Sequence, residues 1–422
     1  MLVFKFGGAS VKDADGIINL ARVVKKFERN ELLIVVSAMG KTTNALERLT
    51  KSYINREDNV QVIFEEIKNY HYTILGQLFE HSDPIFDEVA NTFVEIDWII
   101  EDDPHDDYDF TYDQVVSIGE MVSTRIVNAY LNKAGIKSSW LDVRGYIHTD
   151  NNYREGNVLW DKTRAAISRD IPVLLQKSIV VTQGFLGGTS ENFTTTLGRE
   201  GSDYTASIFA ACLGAESVTT WKDVPGILNA DPKFFQDTVK FDELSYAEAI
   251  EMTFYGASVI HPKTIKPLQN AKIPLLVKSF NDPDAPGTII KDGAVNQFPK
   301  PVIILKQNQV LLSISAKDYS FISENHLSAI FGLFAQKQVK VNMMQTSALS
   351  FTVCLDFDEE RFKNLLLGLN ESFKVKYNDH LSLITLRHYT AASQNELTTG
   401  KTILLEQVSR NTVQLVTRIK SG

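Results

Sequence analysis

The sequence predicts an α/β protein: a three-layer αβα sandwich followed by a smaller ferredoxin-like α+β region. Three observations carry this reading. Short apolar runs alternate with helical stretches as far as a proline-bearing linker near residue 299. One of those runs, residues 32–36, holds no polar side chain, as a strand buried on both faces of a parallel sheet requires. Beyond the linker the order changes to βαββα, that of a ferredoxin-like module. The expected domains are therefore 1–298 and 299–422.

Taken in order, residues 3–6 form the first apolar run, and Ser10 to Asp13 reads as a helix cap. The run at 32–36 empties into a polar loop, 37–44. Residues 45–134 read as mostly helical, broken by the acidic stretch 101–107, a solvated loop whose carboxylates have no apolar frame. Strands follow at 139–143, 179–182, 217–221 and 274–278, with helices between them. One of these helices opens at Ser202-Asp203, and Ser245 with Glu248 forms a capping box for another that runs through Met252. Residues 281–287 are turn-rich. In the second region, 310–315 is a strand, 323–337 a helix, and 339–345 with 350–356 a strand pair. A helix at 359–369 and strands at 373–377 and 381–387 complete one module. A polar loop, a helix at 400–408 and a strand at 413–419 then read as a partial second copy.

Composition narrows the function. A chain of 422 residues suggests two or three domains. A net charge of -9 supplies no broad basic face, which argues against nucleic acid as a partner. Cys212 and Cys354 lie far apart without accompanying histidines, so they read as buried thiols in a reducing compartment rather than a zinc site or disulfide. No signal-peptide pattern and no apolar run of spanning length are present, so the expectation is a cytoplasmic protein away from membranes.

The chemistry concentrates in Lys5-Phe6-Gly7-Gly8 and Gly198-Arg199-Glu200-Gly201-Ser202-Asp203. Both place glycines and one strong cation where the chain enters a helix, and exposed N–H groups at a positive helix end suit an anion such as phosphate. Lys5 is a compact cation fit to bridge β- and γ-phosphates. Gly7, Gly8, Gly187 and Gly188 would let backbone N–H groups approach them. Asp203 beside such a site can hold Mg²⁺ or orient a substrate. Ser37 and Thr43 lie in the loop after a parallel strand, where open α/β sheets bind ligands. The pattern is phosphoryl transfer without a P-loop. Gly400-Lys401-Thr402 imitates a P-loop ending, but Asn395 stands at the leading glycine and the match is chance.

Taken together, Lys5-Phe6-Gly7-Gly8-Ala9-Ser10, Ser117-Ile118-Gly119-Glu120, Gly198 to Tyr204 and Trp221-Lys222-Asp223-Val224-Pro225-Gly226-Ile227 resemble the aspartokinase family over nearly the whole chain. The resemblance implies the amino-acid kinase fold with C-terminal ACT regulatory domains. It implies ATP-dependent phosphorylation of the L-aspartate β-carboxylate to 4-phospho-L-aspartate, the first step toward lysine, threonine and methionine. Cofactors would be ATP and Mg²⁺, the metal carried by ATP and not by protein side chains. On this resemblance Arg199 meets the substrate α-carboxylate as a planar fork, Glu120 meets its ammonium, and Ser37 and Thr43 donate hydrogen bonds to it. Lys222, Asp223 and Lys263 fall to the nucleotide. Val341, Asn342, Gln345 and Ser347 fall to an amino-acid effector, lysine or threonine, and a homodimer forms through the ACT region. No general base is needed, since the nucleophilic carboxylate has a pKa of about 4. His261 accordingly reads as a packed or capping residue.

Departures from the family pattern sharpen the expectations. Lys222 stands where many members carry threonine, Ser258 where many carry a phosphate-contacting lysine, and Leu228 replaces a common tyrosine. Lys222 is expected to supply the cation missing at Ser258, with Lys263 as the rival. Asn342 and Ala348 occupy positions where lysine-inhibited members often carry carboxylates. Acetylglutamate and glutamate 5-kinases share the fold but lack the ACT region. A catalytically silent amino-acid sensor is the alternative from another class, and intact Lys5, Glu120, Arg199 and Asp203 argue against it.

Overall fold

A computed structural model describes residues 1–105, 107–257, 260–294 and 298–419. Ser258, one of the departures noted above, lies outside the described residues. The chain forms two compact units: Met1–Ile227 with Lys240–Ile250 and Ser258–Gln297, and Leu228–Val239 with Glu251–Ala257 and Phe298–Gly422.

The first unit runs β1 (Leu2–Phe6), α1 (Ala14–Lys25), β2 (Leu32–Val36), then four helices: α2 (Thr42–Ile54), α3 (Val60–Leu78), α4 (Ile85–Glu101) and α5 (Tyr108–Lys133). There follow β3 (Ser138–Leu141), α6 (Trp160–Leu175), β4 (Ile179–Gln183), β5 (Leu186–Gly188), β6 (Thr194–Thr196), α7 (Gly201–Leu213) and β7 (Ser217–Lys222). The last are β8 (Glu243–Ser245), α8 (Tyr246–Tyr255), whose end falls in the second unit, α9 (Pro262–Ala271), β9 (Leu275–Ser279) and β10 (Thr288–Lys291).

Eight strands form one sheet in the order β3-β4-β2-β1-β7-β9-β10-β8, parallel from β3 to β9, with β10 antiparallel to β9. Every residue of β2 and β4 is buried, which explains their uninterrupted apolar character. β1 lies between β2 and β7, so Lys5 stands opposite Val35 on one side and Thr220 on the other. Phe4 and Phe6 flank the Trp221 ring at 5.4 and 6.1 Å between centroids, anchoring the β1–β7 seam below the strand ends. The loops leaving β1, β2, β4 and β7 emerge together at the carboxyl edge, where such sheets bind ligands.

The second unit holds β11 (Val302–Ala316), α10 (Glu324–Gln336), β12 (Val341–Thr346), β13 (Phe351–Asp356), α11 (Glu359–Ser372), β14 (Phe373–Arg387), α12 (Ala391–Thr398), β15 (Lys401–Val408) and β16 (Thr412–Ile419). Its antiparallel sheet has the order β12-β13-β11-β14-β16-β15. β11 and β14 are double-length strands that serve two modules at once. Residues 309–316 and 373–378 complete the first ferredoxin-like set with β12 and β13. Residues 302–306 pair with 383–387 and, beside β16 and β15, supply the second set with a fourth strand from upstream in the chain. The partial copy expected from sequence is thus extended by a strand that precedes the first module.

The final elements correct the sequence reading. The expected polar loop is helix α12, started by a capping box in which Thr390 and Ser393 satisfy each other's backbone N–H groups. The expected helix at 400–408 is instead strand β15, paired along its length with β16. Its adjacent Ile403, Leu404 and Leu405 blur the period-2 signal because β15 is an edge strand with no fully buried residue. Among the described residues, no helix is long and apolar enough to cross a membrane.

Candidate active site

Lys5 and Asp203, 198 residues apart in sequence, meet at the carboxyl end of β1. Lys5 is 8 % exposed and Asp203 5 %, and Lys5 Nζ donates to Asp203 Oδ2 at 2.7 Å. Asp203 sits in the first turn of α7, and its Oδ1 accepts from Thr220 Oγ1 at 3.1 Å. Burial pushes the Asp203 carboxyl up, but the Lys5 and Lys222 charges and the two hydrogen bonds outweigh it and hold it below the usual range. Lys222, half-buried at the end of β7, therefore acts on the same carboxylate.

Of the two glycines after β1, Gly8 is dictated by space. A side chain at Gly8 would bring its Cβ to 2.7 Å from the Ala38 carbonyl and 2.9 Å from that of Gly40. Gly40 N donates to Gly8 O at 3.0 Å, locking the two loops together. A Cβ on Gly7 would make only ordinary contact with Lys5 Nζ, at 3.5 Å.

Glu120 lies within α5 and is 2 % exposed. Its Oε1 accepts from Ala38 N at 3.3 Å, while Oε2 is buried with no hydrogen-bond partner among the described residues. Burial pushes its carboxyl up to about 8, against the smaller opposing effect of backbone hydrogen bonds. Ser123 Oγ, one turn on, donates to Ser37 O at 2.7 Å, so α5 fixes the whole 37–38 segment. The Ser37 and Thr43 side chains are half-buried in that loop and at the start of α2.

Arg199 is exposed between two left-handed residues, Gly198 (φ 77°) and Glu200 (φ 55°). Glycine adopts that conformation freely; Glu200 does so at a cost of about 1 kcal/mol, a strain typical of ligand-clamping turns. Glu200 Oε2 is also buried with no partner among the described residues.

Other expected residues have different surroundings. Gly187 and Gly188 are buried in β5, where a Cβ would meet Thr149 Cγ2 at 2.6 Å and Arg144 O at 2.5 Å respectively. Gly188 N donates to Ile147 O at 2.8 Å, so that N–H is committed within the fold rather than presented to a phosphate. Asp223 is exposed. Lys263 opens α9, where His261 Nδ1 caps its N–H at 3.2 Å, and lines a cavity of about 770 Å³ with Trp160, Arg164, Tyr204 and Lys266. In the second unit, Asn342 Oδ1 accepts from Lys306 Nζ at 2.8 Å while its amide donates to Gln309 and Asp356. Val341 is half-buried opposite Leu355, Gln345 is exposed, and Ser347 Oγ pairs with Ser350 Oγ at 2.8 Å. Sequence reasoning missed Thr220 and the Ala38 N–H, because a strand threonine and an alanine amide carry no motif.

The amino acid kinase family model matches residues 1–279. The chain is 32% identical over 395 residues to the lysine-sensitive aspartokinase 3 of Escherichia coli, an alignment covering 92% of this chain and 86% of that one. This chain belongs to the aspartokinases. It is also 32% identical to the chloroplastic aspartokinase 1 of Arabidopsis thaliana over 84% of its length, spanning 63% of that longer protein. The crystal structure of E. coli aspartokinase III with aspartate and ADP superposes with a TM-score of 0.84 at 28% identity, covering 99% of this aspartokinase and 96% of that chain. The same enzyme with lysine and aspartate gives 0.82, also at 28% identity, covering 99% and 95%.

Proposed function

We propose that this aspartokinase transfers the γ-phosphoryl group of ATP to the β-carboxylate of L-aspartate, giving 4-phospho-L-aspartate and ADP. The buried, unpartnered Glu120 Oε2 carries the reading, since a substrate ammonium is the group that relieves an orphan carboxylate there. Arg199, exposed on its strained turn, takes the α-carboxylate, and Ser37 and Thr43 add hydrogen bonds. The β-carboxylate is ionised at neutral pH, so an oxygen of it attacks the γ-phosphorus as the bond to the β-phosphate oxygen breaks. The obstacle is repulsion between two anions. Lys5, Lys222 and the Gly7 and Gly8 N–H groups offset it, while Glu120 and Arg199 hold the amino acid in line.

Among the described residues no group of three or more His, Cys, Asp or Glu could hold a metal ion, and both Asp203 oxygens are engaged by Lys5 and Thr220. The reading carries Mg²⁺ on the nucleotide phosphates, where it would neutralise charge when bound.

Hydroxylamine trapping with MgATP tests the activity: L-aspartate should yield the coloured hydroxamate, and L-glutamate and N-acetylglutamate should not. The same assay with millimolar lysine or threonine tests the proposed effector as inhibition. Absence of hydroxamate with a folded protein would turn the reading to a silent sensor.

Lys222 is assigned to the nucleotide because its charge acts on Asp203. Lys222→Ala is expected to raise the KM for ATP about tenfold, the loss of one charge-assisted contact, with the KM for aspartate unchanged. An unaltered KM for ATP moves that role to Lys263.

A further inference from the structure

We infer that Asp113 and Gln114, adjacent on α5, form the positioning device that sets Arg199 against Glu120 and so fixes the affinity for the amino-acid substrate. The inference rests on the reading of Glu120 and Arg199 as partners of the substrate ammonium and α-carboxylate. β6 is three residues long and, among the described residues, pairs only with β5, so strand pairing alone holds it weakly. Gln114 supplies what the sheet does not. Its Nε2 donates to Thr194 O at 2.8 Å, and its Oε1 accepts from Thr194 N at 3.1 Å, reproducing both halves of a ladder rung.

Asp113 holds the other end of β6. It is fully buried, and its Oδ2 accepts from Thr196 N at 2.8 Å while Oδ1 accepts from Thr196 Oγ1 at 2.7 Å. Alternation along the strand turns Thr195 the other way, where its hydroxyl meets that of Thr149 at 2.6 Å. Three residues beyond Thr196 comes Arg199. Asp113 Oδ2 also accepts from Arg154 N at 2.8 Å, and the Arg154 carbonyl lies 3.3 Å from where a Gly198 Cβ would stand. The one carboxylate thus supports the Arg199 turn from two sides.

The same helix carries Glu120. Asp113 and Glu120 are seven residues apart, two turns and about 10 Å of helix rise, so they share a face of one rigid element. The spacing between the ammonium and carboxylate sites is therefore set through α5 and not through a flexible loop. An α-amino acid has a fixed separation between these groups, which is the feature such a device would select.

Because Asp113 and Gln114 act through Arg199, the test is a double-mutant cycle. Gln114→Ala and Asp113→Ala should each raise the KM for aspartate about tenfold, with the KM for ATP and kcat at saturating aspartate within about twofold. In an Arg199→Ala background, adding Gln114→Ala should cause no further rise. Asp113→Asn should restore the KM, because an amide can still accept two N–H groups and donate to the Thr196 hydroxyl. If Asp113→Ala fails to fold, Gln114→Ala alone reads the coupling. Equal effects of Gln114→Ala in both backgrounds, or a matching rise in the KM for ATP, overturn the inference while leaving the substrate reading intact. An Arg199→Ala enzyme with an unchanged KM for aspartate overturns that reading and the inference with it.

Discussion

Lys5→Ala is expected to lower kcat for hydroxamate formation by about 10³-fold, the scale for removing a preorganised charge stabiliser from a water-poor site. The KM for aspartate should change little, since Lys5 is assigned to the phosphates. A second effect arises in the fold itself. The substitution strands Asp203, 5 % exposed and ion-paired at 2.7 Å, as a buried carboxylate with only the Lys222 charge and the Thr220 hydroxyl left. Breaking a buried pair from one side costs about 3–5 kcal/mol, and the retained Lys222 places this case toward the lower end.

The sign of the pH dependence separates the two effects. In the native protein the Asp203 pKa is depressed, so its contribution to stability is present above the unfolded value of 3.8 and is lost as pH falls through the folded value. Without Lys5, desolvation dominates and the carboxyl rises above its unfolded value. The variant should then be nearest to wild type in melting temperature at acid pH and fall further behind as pH increases. Lys5→Met with Asp203→Asn should recover most of the stability and none of the activity. A Lys5→Ala enzyme within tenfold of wild-type kcat would remove Lys5 from the chemistry.

Legibility from sequence followed burial. β2 is buried along its whole length, so its composition is a continuous apolar run and 32–36 is readable to the residue. In the second unit, β15 is an edge strand and α12 has no buried residue, so neither element leaves a strong hydrophobic period, and the sequence reads the helix as a polar loop and the strand as a helix. The sequence reading starts the strand only at 310 and gives 302–306 no element, because Lys306, Gln307 and Asn308 interrupt what is one long strand with a register shift. At the site, Lys5, Gly7, Gly8 and Asp203 were legible because glycine turns and helix starts announce themselves. The N–H of Gly188 is committed to Ile147, and a glycine required by close packing against Arg144 looks the same in sequence as one required by a ligand. Asp113 was passed over entirely, since nothing in a helical Asp-Gln pair reveals that a short strand eighty residues later depends on it.

Aspartate binding is expected to strengthen with pH up to about 8 and then level off, because of Glu120. Its carboxyl is pushed up to about 8 by burial, so at pH 7 the free site is mostly protonated and neutral. An ammonium binds the ionised form, so each aspartate bound below that value must expel about one proton. The KM for aspartate should then fall nearly tenfold from pH 6 to 7 and about fivefold from pH 7 to 8. Asp113, pushed up to about 6 by burial despite its hydrogen bonds, titrates at the lower edge of this window and not within it. Stability of the free protein runs in the opposite direction. With the folded pKa above the unfolded 4.5, the native state binds more protons than the unfolded chain, so Glu120's contribution falls as pH rises from about 4.5 to about 8. Bound aspartate should reverse that loss. Glu120→Gln keeps the shape and removes the charge: the KM for aspartate at pH 8 should rise about 10²-fold, as expected when a buried charge-assisted bond of about 3 kcal/mol is lost. Its slope with pH should vanish, and the ligand-free variant should melt higher than wild type above pH 8. Calorimetry at pH 7 in buffers of different ionisation enthalpy measures the expelled proton directly. A KM that stays level from pH 6 to 8, or a slope that survives in Glu120→Gln, would take the ammonium away from Glu120 and leave its buried oxygen to some other partner.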